Sequence, residues 1–223
     1  MISVHHALKN NIALKVGFSL DHWSRGLSVM LEKKPGVTII EKLRAILFME
    51  SDSNASYKEI FGNRMLDVVR SHSFIPLEIY SEKGKNSDDC SQAKVILYDI
   101  VWQTRVSASL SSIDAANCYA SIEHAIALLV FQAFGAPIES VESMLTTIEE
   151  IKYFLRTAYG DSKNFPRSTI ELKFQGLCQG SGAAPEGWEV ISVTIICAHK
   201  RIGHTVATMS FPFMCTYNCD SNY

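Results

Sequence analysis

An aspartate at the end of a β-prone run is the first residue that could do chemistry. The run covers residues 108–113, and Asp114 closes it before a predicted helix at 121–134. Two-metal phosphoryl transfer needs a carboxylate on rigid backbone and a second carboxylate from elsewhere in the chain. A lone aspartate before a helix is also a common helix cap or turn former. The local pattern leaves both roles open.

A glycine-rich segment further along the chain could contact a nucleotide. Gly176 and Gly180 flank Leu177-Cys178-Gln179, and Pro185 follows at the entry of a predicted helix over 182–200. Glycine lets backbone approach a ligand closely, and glutamine can hydrogen-bond a base edge or a sugar. An ordinary glycine turn before a helix gives the same pattern.

A predicted hairpin near the N-terminus carries cations suited to phosphate. Its strands, 27–31 and 43–49, surround a turn at Gly36, with Lys33 before the turn and Arg44 on the second strand. A triphosphate is dense in negative charge, and a planar guanidinium can bind it through two parallel hydrogen bonds. Surface hairpins also carry such residues for solubility alone.

Helices and strands alternate in the rest of the chain. Further helices are predicted at 54–71, 87–105 and 138–151, and further strands at 153–157, 168–173 and 205–213. Asn54 is the expected N-cap of the first of these helices. In helix 87–105, the residues expected on the core face are Ala93, Ile96, Leu97, Ile100 and Val101.

The order of these features resembles the reverse transcriptase family over residues 23–188, and in particular retroelement polymerases related to non-LTR retrotransposons and group II introns. The resemblance implies that Asp114 is catalytic and binds metal, together with the backbone carbonyl of Ala115. The nucleotide-binding residues that it implies are Lys33, Arg44, Tyr119, Gln179 and Gly180. Its further implications are Mg²⁺ or Mn²⁺ as cofactor, and an RNA template, a DNA primer and a deoxynucleoside triphosphate as partners.

The resemblance also implies a fold and a division of the chain. We expect a mixed α/β (α+β) protein with the fingers and palm of a right-hand polymerase, truncated before the second catalytic hairpin and the thumb. The expected parts are a helical lead-in at 1–22, a fingers-like part at 23–107 and a partial palm-like part at 108–223.

The sequence departs from the family pattern at two places where the family has acidic residues. Ala120 stands where the family usually has aspartate, and no aromatic-x-Asp-Asp follows the Gln179 helix. Tyr217-Asn218-Cys219-Asp220 has that outline but places cysteine at the metal-binding position. We therefore expect two-metal nucleotidyl transfer to be incomplete, and this chain to be inactive by itself unless another chain supplies the remainder of the polymerase.

Composition narrows the class of partner. The chain has 223 residues, 47% of them hydrophobic, and a net charge of −2, so it can bury a core and any nucleic-acid contact must be local. Six cysteines without a CxxC pair, and no signal peptide or membrane span, predict an intracellular protein without membrane contact. Two alternatives remain open: a non-catalytic nucleic-acid-binding or interaction module that retains the reverse transcriptase fold, and an unrelated α+β domain with chance matches.

Overall fold

The structure, a computed structural model, describes residues 2–37, 39, 42–76, 79, 84–105, 108–114, 118–164, 174–202, 205–210 and 213–219. In chain order the elements are α1 (Ile2–Val16), β1 (Arg25–Glu32), β2 (Leu43–Met49), α2 (Ser51–Tyr57), a π-helical segment (Lys58–Met65), α3 (Leu66–Ser71), α4 (Ser87–Thr104), β3 (Ala108–Asp114), α5 (His124–Ala133), α6 (Ile138–Glu150), β4 (Lys152–Thr157), β5 (Gly160–Asp161), α7 (Ala184–Ile202), β6 (Thr205–Ser210) and β7 (Phe213–Cys219). Among the described helices, none combines the length and apolarity that crossing a bilayer requires.

The chain forms two compact units. The first contains Met1–Val68 and Tyr119–Gly187, and the second contains Val69–Cys118 and Trp188–Tyr223. A mixed α/β architecture is confirmed. The predicted division at residues 22 and 107 concerns fingers-like and palm-like parts, and it stays a prediction.

The first unit contains a four-stranded sheet in the order β2-β1-β4-β5. β1 and β2 pair antiparallel, with Leu31 opposite Arg44, which confirms the predicted hairpin. β4 pairs parallel to β1 and turns back at residues 158–159 into the short β5. The strand predicted at 153–157 is therefore confirmed as β4, whereas the strand predicted at 168–173 lies outside the described residues.

A row of aromatic rings forms the core of the first unit. Trp23, Tyr57, Phe61 and Phe131 are fully buried, and successive ring centroids lie 5.8, 6.3 and 5.5 Å apart. Such tilted and edge-on contacts suit the ring quadrupoles. The Tyr57 hydroxyl lies 2.8 Å from Thr147 Oγ1 on α6 and so keeps a partner within the core. This row joins the helical stretch 51–71 to α5 and α6.

The predicted N-cap role of Asn54 is wrong. The helix begins one turn earlier, at Ser51, with Glu50 in the cap position. The Glu50 carbonyl accepts hydrogen bonds from Ser53 Oγ at 2.9 Å and from the Asn54 backbone N–H at 3.0 Å. Asn54 is therefore inside the helix, and its side chain is available for a contact distant in sequence.

The second unit contains a three-stranded antiparallel sheet, β3-β7-β6, and helix α4. Asn86 caps α4: its Oδ1 accepts from the backbone N–H groups of Asp88 and Asp89 at 2.8 and 2.9 Å. The predicted helix is thus confirmed. Of its predicted core residues, Ala93, Leu97 and Val101 are half-buried, whereas Ile96 and Ile100 are 59% and 51% exposed. The single strand predicted at 205–213 is instead the hairpin of β6 and β7.

Candidate functional site

The glycine segment is a loop packed against backbone of the first unit. Gly176 has φ +82°, and a Cβ there would overlap the Tyr119 carbonyl oxygen and lie 2.5 Å from Ala120 Cα. Leu177 N–H donates to that Tyr119 carbonyl at 2.8 Å, and Gly176 N–H donates to Ile122 O at 3.0 Å. Only a residue without a side chain permits this approach. The loop and the Tyr119 turn are therefore packed directly against each other.

The other end of the loop binds the edge of the hairpin. Leu47 N–H on β2 donates to Gln179 O at 2.7 Å, and β2 is an edge strand of its sheet. Gly180 follows with φ +121°, and a Cβ there would overlap the Leu47 carbonyl oxygen. Both glycines thus permit contact with the protein's own backbone, whereas the sequence pattern had suggested close approach to a ligand.

Asn54 holds the loop through its side-chain amide. Its Oδ1 accepts a hydrogen bond from Gly182 N–H, and its Nδ2 donates to Gly180 O at 3.4 Å. The amide thereby satisfies two backbone groups on either side of Ser181. The sequence gives no signal for this role, because the partners lie 128 and 126 residues away.

His124, the first residue of α5, contacts the same loop. Its Nε2 donates to Gly176 O at 3.0 Å, and its Nδ1 lies 3.1 Å from Glu149 Oε1 on α6. A carbonyl oxygen only accepts, so Nε2 carries the proton of the first contact. Sequence reasoning also missed His124. The pair ties the loop to two helices of the same unit.

Cys178 lies at the centre of the loop with φ +58°. Burial raises the pKa of its thiol to about 12. Burial also raises the pKa of the Tyr153 hydroxyl, and the charge of a Cys178 thiolate would raise it further. The Cys178 thiol is therefore neutral at physiological pH and acts as a small apolar side chain.

We expect Cys178 to be unreactive towards Ellman's reagent in the folded protein at pH 8, because the thiolate is the nucleophile and the raised pKa keeps the thiol protonated. The Cys178→Ser variant should retain every fast-reacting thiol of the native chain. After unfolding, the variant should titrate five thiols against six for the parent. Loss of a fast-reacting thiol in the folded variant would show that Cys178 is accessible and ionised.

The first unit brings several predicted residues together and exposes others. The Tyr119 carbonyl accepts a hydrogen bond from Leu177 N–H in the loop of Gln179 and Gly180, and that loop contacts β2, the strand of Arg44. Arg44 lies three residues from Leu47, about 10 Å along the strand. Arg44 and Lys33 are exposed at the turn end of the hairpin. The nucleotide-binding roles of these residues stay predictions.

Asp114 belongs to the second unit, where it is the last residue of β3. Its partner across the ladder is Phe213, the first residue of β7, and Phe213 also pairs with Ser210 at the end of β6. The end of β6 and the beginning of β7 are thus both at the Asp114 end of the sheet. A hairpin follows α7, and the expectation that the chain is truncated before the second catalytic hairpin stays a prediction. Ala115 lies outside the described residues.

The residues of this hairpin do not fit a two-metal centre with Asp114. Neither β6 nor β7 contains an aspartate or a glutamate. Cys219 stands at the position where the family pattern has its metal-binding aspartate. It pairs with Ala108, which is about 20 Å from Asp114 along β3. Among the described residues there is also no group of three or more metal-binding side chains. Asp114 therefore has no second carboxylate on its neighbouring strands.

No family model and no curated protein matches the chain. Solved telomerase structures do. Apo telomerase from Candida tropicalis truncated from its C-terminal domain matches with a TM-score of 0.56 at 10% identity, over 99% of this chain and 49% of that one. The C. tropicalis and Candida albicans telomerases in complex with a fragment of telomeric RNA match with TM-scores of 0.58 and 0.54, at 8% and 9% identity, over 99% of this chain and 40% and 42% of theirs.

The fold is similar to part of the telomerase fold. This similarity confirms the coarse fold prediction, and it concerns the fold alone because identity is so low. The chain spans less than half the length of these telomerase chains. A right-hand arrangement of fingers and palm, and an origin among retroelements, stay predictions.

Proposed function

We propose that this chain is the fingers and palm portion of a reverse-transcriptase-type protein of retroelement origin. It binds an RNA template paired with a DNA primer, and it does not transfer nucleotides by itself. The observation that supports the proposal is the telomerase-like fold over 99% of the chain. Two of the similar telomerases were solved with telomeric RNA, and we extend nucleic-acid binding from them to this chain.

The loop of Gln179 is the part of the first unit best suited to a fixed contact with a base pair. Four elements hold its backbone: β2, the helix of Asn54, the Tyr119 turn and α5. A loop held in this way needs little further ordering when a ligand binds, so more of the interaction energy appears as affinity. The Gln179 side chain is half-buried beside this support.

Lys33 and Arg44 are the proposed contacts for phosphate. Both are exposed at one end of the β1–β2 hairpin, and a guanidinium and an ammonium there suit a triphosphate or a nucleic-acid backbone. Because the whole chain carries a net charge of −2, binding must depend on such local cations.

We expect no nucleotide transfer by the isolated chain, because the two strands that share a sheet with β3 supply no second carboxylate for a metal site with Asp114. We therefore assign Asp114 no role in a chemical reaction. This observation also favours a second candidate, a non-catalytic module that keeps the fold to bind nucleic acid and has no use for a nucleoside triphosphate. Calorimetric titration with dATP separates the two: the first candidate predicts binding that Lys33→Gln and Arg44→Gln weaken, and the second predicts none.

Binding to a labelled RNA–DNA hybrid should weaken with salt, because each neutralised phosphate releases counterions. We expect Lys33→Gln and Arg44→Gln each to make the log–log slope shallower by about 1. Lys163→Gln, at an exposed position in a turn after β5, is the control and should leave the slope unchanged. Absence of hybrid binding at low salt would refute the proposed function.

A further inference from the structure

The four-stranded sheet has one face turned to solvent, and its ladder register places two phenylalanines in one row on that face. Leu27 on β1 pairs with Phe48 on β2 and with Phe154 on β4. Residues in register share a face of a sheet, and neighbouring strands lie about 4.8 Å apart. The backbone positions of the two phenylalanines are therefore about 10 Å apart, with Leu27 between them. Phe48 is 57% exposed and Phe154 is 43% exposed.

Cations lie on both sides of this row. Arg25 pairs with Lys152 at one end of the face, and Arg44 pairs with Leu31 at the other. Arg25, Lys152 and Arg44 are exposed. A fourth cation, Arg156, lies on the same face two residues further along β4, opposite Val29 and outside the row.

The acid of this face is already bound. Within the described strands of the sheet, Asp161 on β5 is the acidic residue in register on this face, opposite Arg156. The two Asp161 oxygens accept from Arg156 Nε and a terminal nitrogen at 2.7 Å each. This hydrogen bond lowers the pKa of the Asp161 carboxyl, and the pair is charge-neutral. The other cations of this face, Arg25, Lys152 and Arg44, have no acidic residue in register with them on β1, β2 or β4.

We propose that this face binds a single-stranded nucleic acid, with bases stacked on Phe48 and Phe154 and phosphates beside Arg25 and Lys152. Exposed aromatic rings on a sheet between cations suit this ligand, because every base has a flat face and every linkage a negative charge. An apolar protein partner would have to desolvate the cations on both sides of the row. The inference takes its class of partner, nucleic acid, from the proposed function. It concerns a different surface from the Gln179 loop, and its ligand is a single-stranded nucleic acid instead of the RNA–DNA hybrid.

The test compares two labelled ligands by fluorescence anisotropy: a 16-nucleotide unstructured RNA and an RNA–DNA hybrid duplex. We expect Phe48→Ala and Phe154→Ala each to weaken binding of the single strand about fivefold or more, since each removes one stacking platform. Binding of the duplex should change little, because its bases are paired and stacked internally. Tyr159→Ala is the matched control: Tyr159 is 91% exposed in the adjoining β4–β5 turn and lies outside the row.

Two further variants separate stacking from simple apolar contact. Phe48→Trp with Phe154→Trp should retain single-strand binding, whereas Phe48→Leu with Phe154→Leu should lose it. Arg25→Gln with Lys152→Gln should make the salt dependence of single-strand binding shallower. Melting curves followed by circular dichroism confirm that each variant is folded.

The possible outcomes are distinct. Failure of the parent chain to bind the single strand, or equal binding by the alanine and leucine variants and the parent, would overturn this inference. If duplex binding persists in that case, the proposed function stands without it. If the parent binds the single strand and no duplex, the proposed function fails while this surface remains.

Discussion

Replacing Gly180 by alanine should destabilise the first unit far more than replacing Gly160 by alanine. Both glycines have φ +121°, so alanine meets an unfavourable positive φ at either position. At Gly160 nothing lies within 4 Å of the added Cβ, whereas at Gly180 the Cβ would overlap the Leu47 carbonyl oxygen. We expect the loss of unfolding free energy to be larger at Gly180 by about 2 kcal/mol or more, the scale of overpacking a well-packed site.

Gly176 and Gly36 form a second matched pair. Both have φ +82°, and Gly36 has open space around its missing side chain, whereas Gly176 faces the backbone of Tyr119 and Ala120. Chemical denaturation of the four variants measures the effect, and hydrogen exchange at Leu47 N–H reports directly on the bond to Gln179 O. Equal losses within each pair would show that the loop does not pack against these backbones.

Replacing Asn54 by alanine should have the second largest effect. The change leaves Gly182 N–H and Gly180 O without the amide that now binds them. Gly182 N–H is partly buried, and an unsatisfied backbone group of this kind costs about 1–3 kcal/mol, whereas water can replace the amide at the exposed Gly180 O. We therefore expect a loss of about 1–3 kcal/mol. The affinity for an RNA–DNA hybrid should fall as well, since the Gln179 loop loses one of its supports.

Asn63→Ala is the control for Asn54, because Asn63 lies in the same helical stretch and donates to the exposed Glu59 at 2.8 Å. A surface change of this kind should stay within about 0.5 kcal/mol. Asn54→Asp adds a further comparison: it keeps an acceptor for Gly182 N–H and places an oxygen against Gly180 O, so its loss should lie between the other two. A similar stability for Asn54→Ala and Asn63→Ala would show that the Asn54 amide does not support the Gln179 loop.

Local periodicity and turn chemistry were enough to predict most of the secondary structure. The β1–β2 hairpin follows from two apolar runs around Pro35 and Gly36, and α4 follows from its periodic apolar positions. The break between β6 and β7 was missed, although Pro212, which cannot donate to a ladder, was an available signal. Ile96 and Ile100 show the limit of periodicity, which marks an apolar helix face and does not reveal whether that face is covered.

The candidate site was predicted less completely, because its support comes from contacts distant in sequence. Gly176 and Gly180 were recognised as special, but the groups that require glycine there are the backbones of Tyr119 and Leu47. Asn54 and His124 act on residues more than 50 positions away, and neither has a local pattern that reveals it. Similarly, only the ladder register shows that Cys219 is at the far end of β3 from Asp114.

We propose that this telomerase-like fold binds nucleic acid and lacks a complete centre for nucleotide transfer. The most direct test is extension of a labelled DNA primer on an RNA template by the purified chain with Mg²⁺ or Mn²⁺, beside its Asp114→Asn variant. The account predicts that both proteins bind the primer–template and that neither extends it. Extension by the parent chain that is lost in Asp114→Asn would contradict it.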